Sequence, residues 1–289
     1  MQKGPPSKKI RPPQKQNRPG TESKMIPVPV SDYPDKRGSD KLKNKVALIT
    51  GGDSGIGKAV AILFAKEGAD IAIAYLSETN DALDTAEIIE EQYGRTCLLI
   101  KGDLSNEKHC GKVVKKTIQQ FGHLDILVNN AAIHFENKDL RHLSTESLRK
   151  TFDTNIISFF WVTKAAIPYL KKGSCIINSS SVTAYRGSGS LIDYASTKGA
   201  IVSFTRSLSA NLAKKNIRVN GVAPGPIWTP LIPSSFDPQK VAKHGSDVPL
   251  QRAGQPVEIA PCYLFLACED SSYMTGQFLH PNGGEIING

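Results

Sequence analysis

Cysteine pairs and zinc-ligand patterns are missing from this 289-residue sequence. The cysteines form no CxxC pair and are scattered through segments with strand or helix patterns: Cys97, Cys110, Cys175, Cys262 and Cys268. Their odd number and spacing indicate neither a disulfide framework nor a zinc site, and we expect no bound metal. Free thiols favour a reducing compartment, so we expect a cytoplasmic protein.

Long hydrophobic runs are absent too, and aromatic residues make up only 7% of the chain. No apolar stretch approaches the ~20 residues that a membrane-spanning helix needs. The basic N-terminus lacks the apolar segment and cleavage site of a secretory signal peptide. With 39% hydrophobic and 22% charged residues, the composition is typical of a globular protein without a membrane partner.

Negative charge is scarce only at the N-terminus. Residues 1–45 contain 12 Lys and Arg against 4 Asp and Glu, whereas the rest of the chain contains 24 and 23. The net charge of +9 therefore describes this first segment rather than the body. A nucleic acid would have to bind through that segment alone, and we expect no such partner.

The same segment has little aliphatic periodicity and holds 8 of the 18 prolines within residues 1–44. It cannot bury enough apolar surface to offset the entropy of ordering itself. We predict a Pro-rich basic extension over 1–44, largely flexible, in which Met25–Tyr33 docks on the body or on a neighbouring subunit. Residues 45–289 are predicted to form a single domain.

From Lys45 onward, short β-branched runs alternate with helical patterns, which is typical of a parallel sheet covered by helices on both faces. The predicted strands are Val46–Thr50, Asp70–Tyr75, Thr96–Lys101, Ile126–Asn129, Cys175–Ser179, Arg218–Val222 and Gln277–His280. The predicted helices are Ile56–Lys66, Asp81–Tyr93, Glu107–Phe121, Thr145–Leu170, Asp193–Lys214 and Pro256–Cys268. This order predicts an α/β, Rossmann-type, doubly wound sheet of seven parallel strands.

Two local features refine this prediction. Ser190 and Asp193 have the spacing of a capping box before the fifth helix. The Pro-rich, weakly periodic segment near residues 227–255 is predicted to be a substrate lid. Its apolar side chains are either pocket walls or lid packing: Trp228, Leu231, Ile232 and Phe236.

A glycine-rich turn joins the first predicted strand to the first helix, with the sequence Thr50-Gly51-Gly52-Asp53-Ser54-Gly55-Ile56-Gly57. Such a turn lets the backbone approach a pyrophosphate, while the helix N-terminus offers unpaired N–H groups. The spacing is GxxxGxG, and its strand-turn-helix context predicts a nucleotide site. Asp103-Leu104 and Asn129-Asn130-Ala131-Ala132 follow two further strands at the edge where open α/β sheets bind ligands.

A second group of residues indicates proton transfer. Tyr194 and Lys198 are spaced so that they project from one helix face about one turn apart. A nearby cation favours phenolate, so we expect Lys198 to lower the pKa of Tyr194 and to suit it for acid–base catalysis. Ser181 follows the fifth strand, where its hydroxyl can donate to a substrate oxygen.

With these motifs in this order, residues 45–289 resemble the short-chain dehydrogenase/reductase family. They are similar in particular to its bacterial stress-associated and glucose/ribitol dehydrogenase-like members. The resemblance implies that Tyr194 donates or accepts the proton, that Lys198 holds the nicotinamide ribose, that Ser181 orients the substrate oxygen and that Asn155 anchors a water of the proton relay. It also implies hydride transfer between NAD(P) and the alcohol/carbonyl pair of a sugar, polyol, aldehyde or ketone.

The resemblance further implies a set of cofactor contacts and a quaternary structure. The contacts are Gly51, Ser54, Gly55, Ile56, Gly57, Tyr75, Asp103, Leu104, Asn130, Ala131, Tyr194, Lys198, Pro224, Gly225, Ile227 and Thr229. Ala132 stands where the family's NNAG motif has glycine. Glu78 and Ser54 give no uniform signal for the cofactor's 2′-phosphate, so we predict use of both NAD and NADP. The assembly implied is a homotetramer.

Two alternatives remain open on the same fold. One is a 3-oxoacyl-type carbonyl reductase, and the other is a non-catalytic cofactor-binding scaffold or sensor. Enoyl reduction is disfavoured because that branch spaces its tyrosine and lysine more widely than Tyr194 and Lys198. Turnover of an alcohol and aldehyde panel would separate an enzyme from a scaffold.

Overall fold

A computed structural model describes residues 4 and 8–287. The remaining residues of the predicted extension and domain, 1–3, 5–7 and 288–289, lie outside the described part. At the centre is a sheet in which all six pairings are parallel. Its strands are β1 Val46–Thr50, β2 Asp70–Tyr75, β3 Cys97–Lys101, β4 Ile126–Asn129, β5 Cys175–Ser179, β6 Arg218–Val222 and β7 Phe278–Leu279. The order β3-β2-β1-β4-β5-β6-β7 confirms the predicted doubly wound sheet.

Helices cover both faces because the strands are apolar on both sides; every residue of β1 and β5, for example, is buried. On one face lie α1 Gly55–Lys66, α2 Thr79–Glu87 and α10 Pro256–Ala267. On the other lie α3 Glu107–Phe121, α5 Ser158–Ala166 and α7 Ile192–Leu212. The shorter helices are α4 Thr145–Phe152, α6 Thr183–Arg186, α8 Leu231–Ser235 and α9 Pro238–Lys243.

The helix predicted as one unit over Thr145–Leu170 is interrupted. A π-helical turn at Asp153–Ile157 separates α4 from α5, and a similar turn at Ile88–Gln92 follows α2. A π turn inserts one residue into a helix while the apolar pattern continues on either side. Periodicity alone therefore does not reveal it.

The capping box predicted at Ser190 and Asp193 is wrong. Helix α7 begins after Leu191, which has no side-chain acceptor, and Asp193 instead accepts a hydrogen bond from Thr151 Oγ1 at 2.7 Å. A capping box does occur before α10, where Gln255 N donates to Glu258 Oε2 at 2.7 Å. Burial of the Asp193 carboxylate against α4 overrides its local spacing signal.

The position of the site follows from the strand order. From β1 the chain winds outward to β3 and then returns to place β4 on the other side of β1. Connections on the two sides of this switch point diverge, which opens a crevice at the carboxyl ends of β1 and β4. The glycine turn after β1 and the Asn130 loop after β4 lie at this crevice.

The predicted lid has more regular structure than its sequence suggests, since it contains α8 and α9. Its base is fixed by a bridge between Ile227 and Gly254, with Trp228 N donating to Gly254 O at 2.9 Å. Trp228 is fully buried and packs with Ile232, Phe236 and Met25.

The N-terminal extension crosses the body from the lid to α10 and α1. The main backbone bonds along its path are Ile10 N to Ala242 O (2.8 Å), Gln16 N to Pro233 O (2.9 Å), Val257 N to Val30 O (3.0 Å) and Leu42 N to Glu67 O (2.9 Å). The segment Met25–Tyr33 contacts the body, as its apolar sequence predicts, whereas the flexibility expected of residues 1–44 stays a prediction. Within residues 4 and 8–287, no helix has the length and apolar character to cross a membrane.

Candidate active site

A cleft of about 430 Å³ lies at the carboxyl ends of the central strands. It extends from the loops after β2 and β3 to the N-terminal part of α7. The predicted site residues that line it are Gly51, Ser54, Gly55, Ile56, Tyr75, Asp103, Leu104, Asn130, Ala131, Tyr194, Lys198, Pro224 and Thr229. Residues that are far apart in the chain thus meet at one crevice.

Three residues predicted as cofactor contacts pack behind the residues that line the cleft, and their contact with the cofactor stays a prediction. Gly57 packs against the glycine turn so closely that a Cβ would lie 1.9 Å from Gly51 O. Gly225 packs against the backbone of Asn282, and Ile227 is buried at the base of the lid. These residues shape the wall without lining it.

Asn130 holds three strand ends together. Its Nδ2 donates to Thr50 O and Gly51 O at 3.1 Å each, and its Oδ1 accepts from Ser179 Oγ at 3.0 Å. Ser179 Oγ also lies 2.6 Å from the Tyr263 hydroxyl. The amide therefore connects the glycine turn after β1 to the end of β5. This fixes the predicted nucleotide-binding turn, the nucleotide end of the cleft, relative to the end that contains Tyr194 and Lys198, the chemical end.

The N-terminus of α1 receives a carboxylate from the extension. Gly55 N donates to Glu22 Oε1 at 2.7 Å, and Lys58 Nζ lies 3.0 Å from Glu22 Oε2. Glu22 and Lys58 are both buried. A negative charge is favourable at this helix end, where N–H groups have no partner within the helix. Glu22 gives no sequence signal for this contact because it lies in the Pro-rich segment without a local motif.

Tyr194 is the acid–base candidate of the cleft, and it receives a hydrogen bond from Ser181. Burial raises the pKa of Tyr194 to about 12, while the Ser181 hydrogen bond acts in the opposite direction. The phenol therefore holds its proton at neutral pH. Ser181 is itself 8% exposed and is fixed by a hydrogen bond from Thr183 N to its Oγ at 3.2 Å.

Lys198 lies one helical turn from Tyr194, with Nζ 5.4 Å from the phenol ring centroid. Its Nζ donates to Ser179 O at 2.8 Å, and burial lowers its pKa to about 7. Burial therefore dominates the pKa of Tyr194 in this structure, and the lowering expected from Lys198 stays a prediction. Burial raises the phenol pKa and also leaves the lysine only partly charged at neutral pH.

Asn155 lies in the π turn between α4 and α5. Its Oδ1 accepts from Ile133 N and its Nδ2 donates to Ile133 O, both at 2.8 Å. Its Nδ2 also lies 3.3 Å from Thr197 Oγ1 on α7. The side chain thus ties the π turn to the loop after β4 and to the helix that presents Tyr194.

His134 is a further residue that lines the cleft, outside the predicted site. Its ring meets Tyr194 edge-on with centroids 5.1 Å apart and lies at the same distance from Phe236. Burial lowers the pKa of His134 to about 3, and the positive charges of Arg18, Lys240 and Lys198 add to that effect. A neutral imidazole therefore forms part of the wall beside the phenol. A lone histidine in a loop gives no sequence signal for this role.

We expect His134 to limit acid stability. Its folded-state pKa is about 3 against 6.5 for a free side chain, so the unfolded chain binds the proton first as pH falls. The free energy of unfolding that is linked to neutral His134 is fully present above pH 6.5. It decreases by up to about 5 kcal/mol as pH falls toward 3. His134→Phe should flatten this decrease in denaturant titrations over that range. The matched change at exposed His142 should not, and an unaltered pH dependence in His134→Phe would refute the linkage.

The donors and shape of the cleft fit a dinucleotide. The glycine turn is suited to a pyrophosphate, beside the Gly55 N–H that Glu22 already engages at the start of α1, and the cleft connects this turn to Tyr194 and Lys198. The loops after β2 and β3 supply the wall at the opposite end. Among the described residues no group of three or more His, Cys, Asp or Glu side chains is arranged to hold a metal ion.

Comparisons with known proteins agree with this geometry. A family described as "Enoyl-(Acyl carrier protein) reductase" matches residues 51–285. Among solved structures, a short-chain dehydrogenase from Burkholderia cenocepacia in complex with NADP is similar with a TM-score of 0.80 and 30% identity. The similarity covers 85% of this chain and 99% of that one.

Two plant proteins are among the similar curated relatives. The chain is 50% identical to an NADPH-dependent aldehyde reductase of Arabidopsis thaliana, over 95% of this chain and 98% of that protein. It is 49% identical to a glucose and ribitol dehydrogenase of Daucus carota, over 96% and 98% of the two chains. The chain is an NAD(P)-dependent oxidoreductase and belongs to the short-chain dehydrogenase/reductase family.

Proposed function

We propose that this enzyme reduces the carbonyl group of a small aldehyde, ketone or sugar and oxidises the corresponding alcohol or polyol. The main support is one arrangement: Tyr194, hydrogen-bonded by Ser181 and one helical turn from Lys198, in the same cleft as the glycine turn. The activities for which the aldehyde reductase and the glucose and ribitol dehydrogenase are named support the substrate class.

Each residue has a proposed task in the reaction. The nicotinamide cofactor supplies or accepts the hydride when bound. Ser181 donates a hydrogen bond to the substrate oxygen, which stabilises the negative charge that develops there. Tyr194 gives its proton to that oxygen during reduction and takes it back during oxidation. Lys198 holds the nicotinamide ribose, and Asn155 anchors a water of the proton relay.

The test is turnover of a panel of aldehydes, ketones and polyols by the purified full chain. The absorbance of reduced nicotinamide measures this turnover. Carbonyl-dependent oxidation of the cofactor supports the proposal. Cofactor binding without turnover on any member of the panel would favour a scaffold or sensor. Preferential turnover of 3-oxoacyl thioesters would favour the acyl reductase alternative.

Enoyl reduction is a second candidate because the matching family carries that description. It would deliver the hydride to a carbon–carbon double bond, so an enoyl thioester belongs in the same assay. The four-residue spacing of Tyr194 and Lys198, together with the Ser181 hydrogen bond, supports carbonyl chemistry over it.

We expect both NADH and NADPH to serve. Glu78 lines the cleft beyond β2, where a carboxylate suits ribose hydroxyls and opposes a 2′-phosphate. Its carboxylate is engaged by Ser77 Oγ at 2.6 Å, which reduces its influence on the cofactor. The ratio of kcat/KM for the two cofactors should stay below about a thousandfold, or ~4 kcal/mol. A larger ratio measured with one saturating aldehyde would contradict this expectation.

We also propose a homotetramer built on the α4–α5 region, on α7 and on Tyr273–Pro281. Phe160 and Tyr273 are exposed in the single chain, and the tilted rings of Phe160 and Phe204 of α7 have centroids 4.4 Å apart. Apolar surface of this kind is suited to a symmetric interface. Light scattering should give a tetramer for the full chain and also after deletion of residues 1–38. A truncated monomer would show instead that the extension holds the assembly.

We propose a cytoplasmic location and no nucleic-acid partner. The free cysteines are the basis for the location. In the basic extension, Arg11 Nη1 donates to His244 O at 3.0 Å, so that arginine is engaged by the body. Salt-dependent DNA or RNA binding that is lost on deletion of residues 1–44 would contradict the second expectation.

A further inference from the structure

A short loop of the extension, Gln16–Thr21, enters the wall of the cleft. Its middle residues Arg18, Pro19 and Gly20 line the same cleft as Tyr194 and Lys198. Gly20 lies against the lid so closely that a Cβ would be 2.6 Å from Pro230 O. The extension is therefore part of the site.

The loop is closed and anchored at both ends. The Gln16 side chain closes the loop through two hydrogen bonds to the Thr21 backbone. Thr21 N donates to Gln16 Oε1 at 2.8 Å, and Gln16 Nε2 donates to Thr21 O at 3.1 Å. Gln16 N donates to Pro233 O of α8 at 2.9 Å. On the other side, Glu22 binds the N-terminus of α1. The position of Arg18 is thus set by the lid and by the glycine turn.

Arg18 presents its guanidinium at the chemical end of the cleft. The guanidinium carbon lies 4.2 Å from the Phe135 ring centroid, and Phe135 follows His134, which contacts Tyr194. Arg18 is exposed, and among the described residues no carboxylate lies within salt-bridge distance of it. The carboxylates that line the cleft, Asp53, Glu78 and Asp103, belong to the turns after β1, β2 and β3.

We propose that Arg18 binds an oxyanion in the cleft, either a phosphate of the cofactor or a carboxylate or phosphate on the substrate. A planar guanidinium held against an aromatic ring presents paired N–H donors that match such groups. The loop thereby makes the extension a specificity element of the enzyme. The substrate alternative rests on the proposed carbonyl reduction, whereas the cofactor alternative does not.

Two measurements on Arg18→Met distinguish the sources. The first is the Kd of NADPH, which is obtained from nicotinamide fluorescence during titration of the full chain. The second is kcat/KM for 4-carboxybenzaldehyde and for its methyl ester, which differ in one negative charge. A loss on the order of tenfold in NADPH affinity identifies a cofactor phosphate. A similar loss for the carboxylate aldehyde alone identifies the substrate anion.

Arg18→Lys should lose less than Arg18→Met, because it keeps the charge but not the paired donors. Lys24→Met is the matched control, since it removes an exposed charge of the extension that does not line the cleft. Thermal unfolding of each variant verifies the fold. Unchanged NADPH affinity together with an unchanged ratio between the two aldehydes would overturn the proposal. If the wild type reduces neither aldehyde, the proposed carbonyl reduction is contradicted for these two substrates. The NADPH affinity of Arg18→Met then tests the role of Arg18 by itself.

Discussion

Tyr194→Phe should lower kcat for carbonyl reduction by about 10²- to 10⁴-fold, the usual contribution of a positioned acid–base group. The hydroxyl group is the only part of the side chain that is removed. Its proton is present at neutral pH, because burial raises the pKa of Tyr194 to about 12. The ring that packs against His134 is retained, so the fold and the cleft should persist. Steady-state kinetics with a saturating aldehyde measures the effect.

Binding of NADPH to Tyr194→Phe should change by less than about threefold, since a single ribose contact is modest beside the rest of the cleft. Tyr169→Phe is the control, because it removes a tyrosine hydroxyl from an exposed position. Near-normal turnover in Tyr194→Phe would remove Tyr194 from the reaction. An equal loss in both variants would point to a general effect of tyrosine removal.

Breaking the Glu22–Lys58 pair should cost about 3–5 kcal/mol of unfolding free energy, because each single change leaves a buried charge without its partner. The side chains are only 6% and 10% exposed, and Glu22 also accepts the hydrogen bond of Gly55 N. Glu22→Leu and Lys58→Met should therefore both be strongly destabilising. Denaturant unfolding measures the cost.

The double variant is the sharper measurement. Combining Glu22→Leu with Lys58→Met removes both charges, so it should cost clearly less than the sum of the single changes. Lys164→Met is the matched control, because its pair with Glu107 is exposed and should contribute less than about 1 kcal/mol. Additive costs at Glu22 and Lys58 would show that the pair is not coupled.

Local patterns predicted the scaffold well. Strands β1, β2, β4, β5 and β6 have the bounds read from their apolar runs, because strands buried on both faces need continuous apolar sequence. Helix α3 matches as well, with Gly122 ending it in the left-handed conformation at φ 79°. Such features depend on residues close in the chain, and these are the ones that periodicity and end signals report.

Errors occur where distant contacts override a local signal. Asp193 has the spacing of a cap but binds Thr151 of α4. For four apolar lid residues the sequence left two alternatives open, pocket walls or lid packing. Only Leu231 lines the cleft, while Trp228 packs on Met25 of the extension. Trp228 Nε1 donates to Pro27 O at 2.8 Å, across 201 positions of sequence. No window along the chain contains both partners of such a contact.

The amino-acid sequence alone specifies the parallel sheet, the glycine turn and the Tyr194–Lys198 pair, because each depends on the order of neighbouring residues. Only the tertiary structure brings Glu22 to the N-terminus of α1, Arg18 into the cleft and His134 against Tyr194. It also decides the ionisation of the site, lowering the pKa of Lys198 to about 7 and raising that of Tyr194. Burial and charge are set by everything that packs around a group, and those neighbours come from separate parts of the chain.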